Sequence, residues 1–120
     1  MTRARETSEN ARQAKAWVNF DGTFGTSPFT EANGGIRDSF NVDSVTDINT
    51  GRYTVNFTND FSNTDYVVCI TVGGAQNAIW FRTYEDSVAR TISAFHFATV
   101  QFSNGGFMDM PQINLIFFGE

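Results

Sequence analysis

Residues 53–57 read Tyr-Thr-Val-Asn-Phe and alternate large apolar side chains with small polar ones at every step. Successive side chains of a β-strand point to opposite faces of its sheet, so this pattern has the period of a strand. It predicts that Tyr53, Val55 and Phe57 are directed into a core, while Thr54 and Asn56 are directed away from it.

The same alternation recurs on both sides of this stretch. The further runs lie at residues 16–20, 39–42, 66–72, 79–84, 89–102 and 113–118. Turn sequences rich in Gly and Asn, which tolerate the positive φ of tight reversals, lie at residues 33–35, 49–51, 73–74 and 104–106. Short strands separated by turns in this way predict an all-β fold, a small antiparallel β-sandwich of about six to eight strands.

Three segments depart from this pattern. Residues 21–35 have no periodicity and are predicted to form a long loop, and the phase of the run at 89–102 slips at Ala98-Thr99, which predicts a bulge or bend. Residues 4–16 are rich in Ala, Arg, Glu and Gln, which favour helix, but so short a helix needs a partner in water. We therefore divide the chain into a helical lead-in or oligomeric stem at 1–16 and a β-sandwich domain at 17–120.

Composition points to an assembly of copies and excludes several partners. The chain has 13 Phe, more aromatic surface than a domain of 120 residues usually hides, so some rings are expected to contact another subunit. The net charge is -5 and Lys15 is the only Lys, so neither nucleic acid nor an anionic membrane surface is an expected partner. No apolar run approaches the length of a membrane span, and the N-terminus lacks the apolar stretch of a signal peptide. We expect no membrane insertion and synthesis in a cytoplasm.

Few residues have the pattern of a catalytic or metal site. The only histidine, His96, lies between two Phe in a predicted strand, which favours a packed or hydrogen-bonded structural role, and no Gly-x-Ser-x-Gly elbow accompanies it. The only cysteine, Cys69, lies in an apolar run and is expected to be buried and inert. Asp43 and Asp47 lack the spacing of a calcium loop and are interpreted as turn caps, and Glu85-Asp86 is interpreted as a solvated turn. We predict no catalytic residue, metal ligand or cofactor, although a pair of glycosidase carboxylates across a cleft stays open.

Recognition is the chemistry that the remaining residues favour. Trp80, Arg82 and Tyr84 alternate along one predicted strand and share a face, while Asn104 and Asp109 belong to a polar loop that also contains aromatic residues. Aromatic rings that stack on sugars, beside Asn, Asp and Arg that hydrogen-bond to hydroxyls, are typical of carbohydrate binding. These five residues are the predicted receptor or glycan contacts. The alternative is that the rings pack in a core or a subunit interface.

Three segments resemble a module of the tail fibres of tailed bacteriophages, common in marine and cyanobacterial phages. They are Lys-Ala-Trp-Val-Asn-Phe-Asp-Gly-Thr at 15–23, Ile-Arg-Asp-Ser-Phe-Asn-Val at 36–42, and residues 47–57, which end in Tyr-Thr-Val-Asn-Phe. The resemblance covers about residues 15–72. The family has a short Gly-Thr turn after the first of these segments, and in this chain that turn is expanded through residues 24–34.

A fainter similarity concerns the layout of H-type lectin-like domains. It is carried by residues 53–57, 61, 66–68, 92–95 and 114–119, whereas no ligand-binding motif of that family matches. Those domains are antiparallel sandwiches that form homotrimers, also at the tips of phage fibres. The two resemblances imply a homotrimeric virion protein that contacts other tail or capsid proteins and a host surface glycan. The alternatives are a head decoration or fibre adaptor without receptor binding, and a depolymerising glycosidase.

Overall fold

The computed structural model describes residues 13–74, 81–101 and 105–120, and these form eight β-strands. The strands are β1 (Ala14–Phe20), β2 (Ile36–Phe40), β3 (Val42–Asn49), β4 (Arg52–Phe57), β5 (Val67–Gly73), β6 (Phe81–Glu85), β7 (Ala94–Gln101) and β8 (Gln112–Phe118). Sheet A has the order β2-β1-β8-β5 and sheet B has the order β3-β4-β7-β6. Every neighbouring pair is antiparallel, which confirms the all-β antiparallel prediction.

The boundary of the first segment differs from the prediction. Residues 1–12 of the expected helical lead-in lie outside the described residues. Ala14–Ala16 belong to β1, because the strand pairs with β8 from Ala14 onward and Ala16 is fully buried in the core. The sheet therefore begins three residues before the predicted boundary at Trp17.

The core lies between the two sheets and consists largely of aromatic rings. Tyr53 of β4 packs edge-on against Phe20 of β1, with ring centroids 5.3 Å apart, and lies 5.5 Å from Phe97 of β7. Phe57 and Phe117 form a second edge-to-face pair at 4.9 Å. The inward direction of Tyr53, Val55 and Phe57, expected from their alternation, is confirmed by their burial.

Asn41 divides what the sequence predicts as one strand into two. Its φ is 57°, in the left-handed region, so the chain leaves sheet A after Phe40 and enters sheet B at Val42. The Asn41 side chain fixes this corner: its Nδ2 donates to the carbonyls of Lys15 and Asn59, and its Oδ1 accepts from the Asn59 N–H at 2.7 Å. As a result Phe40 faces outward while Val42 is buried.

One further expectation for this half of the chain is wrong, whereas the long loop predicted at 21–35 is confirmed. Residues 43–49 are not a capped turn but most of β3, which pairs with β4 with register shifts at Asp43 and Ile48. The loop at 21–35 also contributes to the core, because Phe29 exchanges backbone hydrogen bonds with Val45 and is completely buried. Since a single inserted ring has no period, alternation could not identify Phe29 as a core residue.

Corrections also apply to the second half. β7 pairs without interruption with both β4 and β6, so the predicted bulge at Ala98-Thr99 is absent. The alternation of apolar residues in the sequence changes phase here because Val100, although on the outer side of the strand, is buried. Phe107 forms an isolated bridge with Val100 and covers it. Cys69 is exposed, because β5 directs Val68 and Ile70 inward and Cys69 outward.

Candidate functional site

The outer face of sheet B carries two of the five predicted contact residues, Arg82 and Tyr84, together with further charged and aromatic side chains. Antiparallel partners share a face, and Arg52, Ala98 and Tyr84 form one row across β4, β7 and β6. In the next row Arg82 lies beside Val100, and Val100 lies beside Phe107. We call the four outward side chains Arg52, Arg82, Tyr84 and Phe107 the Tyr84 face.

The Tyr84 face combines two exposed rings with arginine side chains. Tyr84 is 40% exposed and Phe107 46%, whereas Ala98 between Arg52 and Tyr84 is fully buried, so its neighbours cover it and a ligand does not reach it. The accessible surface therefore consists of rings and guanidinium groups. Such groups stack on the apolar face of a flat ligand and hydrogen-bond to its hydroxyls.

Arg52 is held in place by two contacts. Its guanidinium forms an ion pair with Asp86 at 2.7 Å and lies 5.8 Å from the centre of the Phe107 ring. Burial by itself would raise the pKa of Asp86, but hydrogen bonds from Arg52 and from the Ser87 N–H outweigh it and lower the pKa. Asp86 is therefore a fixed anion with an 8% exposed side chain, not the solvated turn residue that was predicted.

Arg82 is the exposed cation of this surface. It has no ion-pair partner among the described residues, in contrast to Arg52. An exposed guanidinium with free donors binds carboxylate, phosphate or hydroxyl oxygens of a ligand at little desolvation cost. The Tyr84 face thus has one arginine fixed by the protein and one available to a ligand.

A polar ladder continues the outer face of sheet B towards β3. The Nδ2 of Asn56 donates to the hydroxyls of Ser44 and Thr46, and the Thr54 hydroxyl lies 2.8 Å from the Nδ1 of His96. The hydrogen bond expected for His96 is confirmed. This ladder makes the outer face of sheet B polar from β3 to β7.

The predicted contact residues fall into three groups. Arg82 and Tyr84 do share an exposed face of β6, as their alternation predicts, whereas Trp80 and Asn104 lie outside the described residues. Asp109 lies elsewhere, because its Oδ1 accepts from the Tyr53 hydroxyl and from the Gly51 N–H, both at 2.7 Å. Its carboxylate thus supports the loop between β3 and β4.

Sequence reasoning did not identify Arg52 and Phe107 as members of the surface. Arg52 immediately precedes the stretch whose alternation defines β4, so the same period that places Tyr53 inward also places Arg52 outward. Phe107 carries no such signal, because it reaches the surface through a bridge to β7 from a loop.

A second carboxylate lies close to the Asp109 site. Burial, and next the charge of Asp109, raise the pKa of Asp47 above its usual value. The Asp47 Oδ1 is a buried oxygen without a hydrogen-bond partner in the described part of the chain. Within residues 13–74, 81–101 and 105–120 no group of three or more His, Cys, Asp or Glu side chains is placed to hold a metal ion.

The outer face of sheet A has the opposite character. Phe40, Trp17, Ile116 and Cys69 form one row across all four strands, since Trp17 pairs with Phe40 and Ile116, and Ile116 pairs with Cys69. Val67 lies beside this row and is 60% exposed, and Phe40 within the row is 53% exposed. We give the name Trp17 strip to the four residues of the row together with Val67.

A shallow depression of about 410 Å³ lies along the Trp17 strip. It extends to a parallel row of polar side chains, in which Asn19 donates to Asn114 and Asn114 donates to the Thr71 hydroxyl. These amides satisfy one another across β1, β8 and β5. Along β1, β8 and β5 the face therefore offers apolar surface and short polar groups. Charge enters it from β2, where Arg37 donates to the Asn19 Oδ1 at 3.3 Å and Asp38 lies opposite Asn19.

The described residues include no helix with the length and apolarity needed to cross a membrane. Comparison of the chain with protein-family models, with curated protein sequences and with solved structures found no match.

Proposed function

We propose that this chain is a tail-fibre subunit of a tailed bacteriophage, which attaches the virion to its host by contacting a surface glycan through the Tyr84 face. The resemblance of residues 15–72 to phage fibre modules supports the biological setting. The observation that carries the contact is the pair of exposed rings beside two arginines on the outer face of sheet B.

The chemistry of this surface favours a sugar over a protein or nucleic acid. Tyr84 and Phe107 supply ring faces for stacking, and Arg82 supplies donors for hydroxyl or carboxylate oxygens. Both rings lie at the sheet, so they are positioned before the ligand arrives and little ordering entropy is lost on binding. The net charge of -5 opposes binding to phosphate backbones.

In this proposal the subunit acts as a homotrimer, as the lectin-like layout implies, and it also contacts other virion tail or capsid proteins. Several copies of a weak glycan contact on one rigid fibre raise the total strength of attachment. Light scattering after gel filtration is expected to give about three times the subunit mass of 13.4 kDa. A mass of one subunit at micromolar concentration would exclude the homotrimer.

Binding to host cells tests the attachment function. Labelled protein is expected to bind host cells and polysaccharide purified from them, and the unlabelled protein to block phage adsorption. Tyr84→Ala and Arg82→Ala should each weaken binding at least about tenfold. Ile92→Ala is the matched control, because Ile92 is 39% exposed in the loop before β7, at the opposite end of that strand from Val100 and Phe107.

The outcomes separate the competing functions. If the wild-type protein neither binds cells nor blocks adsorption, the attachment function is wrong and a structural role in the virion, as a head decoration or fibre adaptor, is favoured. If Tyr84→Ala and Arg82→Ala bind like the wild type, the contact lies elsewhere on the molecule. Release of reducing sugar ends from the polysaccharide would show a glycosidase instead.

A further inference from the structure

The three strands that form most of the outer face of sheet A are almost uncharged. β8 (Gln-Ile-Asn-Leu-Ile-Phe-Phe) and β5 (Val-Val-Cys-Ile-Thr-Val-Gly) contain no charged residue, and β1 contains only Lys15. Four strands about 4.8 Å apart and about six residues long form a face of roughly 20 Å by 20 Å. The Trp17 strip is the apolar part of this face, and contiguous exposed apolar patches of a few hundred Å² mark interaction sites.

The strand β5, which forms one edge of this face, also lacks charged residues. An edge strand presents unpaired N–H and C=O groups, and proteins usually guard it with charges, Pro or bulges. The other edge strands each carry two charged residues: Arg37 and Asp38 in β2, Asp43 and Asp47 in β3, and Arg82 and Glu85 in β6. β5 has none, and its register with β8 is regular along all seven residues.

The charge distribution favours a second copy of this chain as the partner. Copies with a net charge of -5 repel one another, and an uncharged face is where two of them meet without placing like charges together. An acidic or basic partner would require complementary charges, which the Trp17 strip lacks.

From these observations we infer that the Trp17 strip and the adjoining edge of β5 form the contact with a second copy of this chain. In the assembly Trp17 and Ile116 lie at the centre of the interface, and Cys69 and Val67 lie towards the β5 edge. The inference shares with the proposed function only the expectation that copies associate, and it would hold for a virion part without receptor affinity.

Ile116→Lys tests the contact with the full chain. A lysine at the centre of a desolvated interface is expected to weaken association at least about tenfold, so the variant elutes as a single subunit where the wild type is an oligomer. Ile48→Lys is the matched control, since it makes the same exchange on an exposed position of sheet B and should leave the oligomer unchanged. Circular dichroism checks that both variants are folded.

A second measurement uses the wild-type protein and so does not depend on folding of a variant. Cys69 is exposed in the isolated subunit and is the only cysteine of the chain, so a fluorescent maleimide should label it quickly in dilute protein and slowly at concentrations where copies associate. Protein that is labelled at Cys69 should elute as a single subunit.

Three results would overturn the inference: a monomeric wild type, a folded Ile116→Lys that keeps the wild-type mass, and Cys69 labelling that is independent of protein concentration. The same results leave the glycan contact untouched, because cell binding is measured separately. Conversely, an oligomer that depends on Ile116 but binds no cells would refute the attachment function alone.

Discussion

At the scale of single residues, Tyr53 connects the core to the loops at one end of the sandwich. Its ring packs between Phe20 and Phe97, and its hydroxyl lies 2.9 Å from the Gly22 carbonyl and 2.7 Å from Asp109. Burial, followed by the hydrogen bond to Asp109, raises the pKa of Tyr53, so the hydroxyl stays a donor throughout the physiological range. The approach is close: a Cβ at Gly22 would lie 2.5 Å from that hydroxyl.

Tyr53→Phe should lower the free energy of unfolding by about 1–3 kcal/mol, because the Gly22 carbonyl and the Asp109 carboxylate lose a buried donor while the ring packing stays. Urea unfolding followed by fluorescence measures the change. Tyr84→Phe, at an exposed position, should change stability by no more than about 0.5 kcal/mol. Equal effects of the two substitutions would show that the Tyr53 hydroxyl contributes nothing.

Asp47→Asn should stabilise the protein at neutral pH. Because the folded-state pKa of Asp47 is raised above its unfolded value, its contribution to stability is present below the unfolded pKa and is lost as pH rises through the folded pKa. Asparagine removes this loss, so the variant should be about 1 kcal/mol more stable than the wild type at pH 7 and about equal to it near pH 3.

Urea unfolding at the two pH values measures the effect of Asp47→Asn. Asp43→Asn is the control, because Asp43 is exposed in the same strand and its exchange should change stability by no more than about 0.5 kcal/mol at either pH. A destabilised Asp47→Asn at pH 7 would contradict the prediction.

At the scale of elements, the corner at Asn41 decides which sheet each strand joins. A residue with positive φ breaks the alternation between Phe40 and Val42, so β2 and β3 belong to different sheets although only one residue separates them. This break exposes Phe40 on sheet A and thereby adds a ring to the Trp17 strip. Alternation alone predicts a continuous strand here, because Phe40 and Val42 are two residues apart.

Asn41→Ala should destabilise the fold by about 2–3 kcal/mol, since alanine is strained at positive φ and the three side-chain hydrogen bonds to Lys15 and Asn59 are lost. Asn41→Gly separates the two causes, because glycine relieves the strain but also lacks the side chain. In urea unfolding, Asn41→Gly should therefore lower the free energy of unfolding by less than Asn41→Ala does. If Asn41→Gly is the more destabilising, strain is not the cause.

Most of the strands were predictable from the sequence, and the physical reason is the sharp difference between their two faces. β1, β5 and β8 have period-two burial because one face of each is buried and the other is not, and β4 departs from this only at Thr54, which is buried on the outer side. The pattern fails in β7, where Ala98 and Val100 are buried on the outer side too. It also fails in β3, because the register with β4 shifts at Asp43 and at Ile48 and because Asp47, opposite Tyr53, takes the place of an apolar inward residue.

At the scale of the whole molecule, the two outer faces have different chemistry. Sheet B presents the Tyr84 face and a polar ladder, whereas sheet A presents the Trp17 strip and an uncharged edge. The described core takes up seven of the 13 Phe, and Phe40 and Phe107 lie exposed on sheet A and beside sheet B respectively. The expected excess of aromatic surface is thus divided between the surface proposed for self-association and the one proposed for binding.

If these proposals are both right, Ile116→Lys should weaken attachment without altering the Tyr84 face. A single subunit loses the benefit of several linked contacts, so its apparent affinity for host cells should fall about a hundredfold relative to the oligomer. Binding to short oligosaccharides, which contact one subunit at a time, should be unchanged in isothermal titration calorimetry. A loss of oligosaccharide binding in this variant would show that the two faces are not independent.

The sequence by itself determined the fold class, the inward residues of the regular strands and the common face of Arg82 and Tyr84, because these follow from a local period of two. Only the tertiary structure decided that Asn41 separates two sheets, that Phe29 and Phe107 reach the core and the surface from loops, and that Asp109 supports Tyr53. It also decided that Cys69 lies on an exposed row with Trp17 and Ile116. Each of these depends on pairing between residues far apart in the chain, and alternation within one strand carries no information about its neighbours.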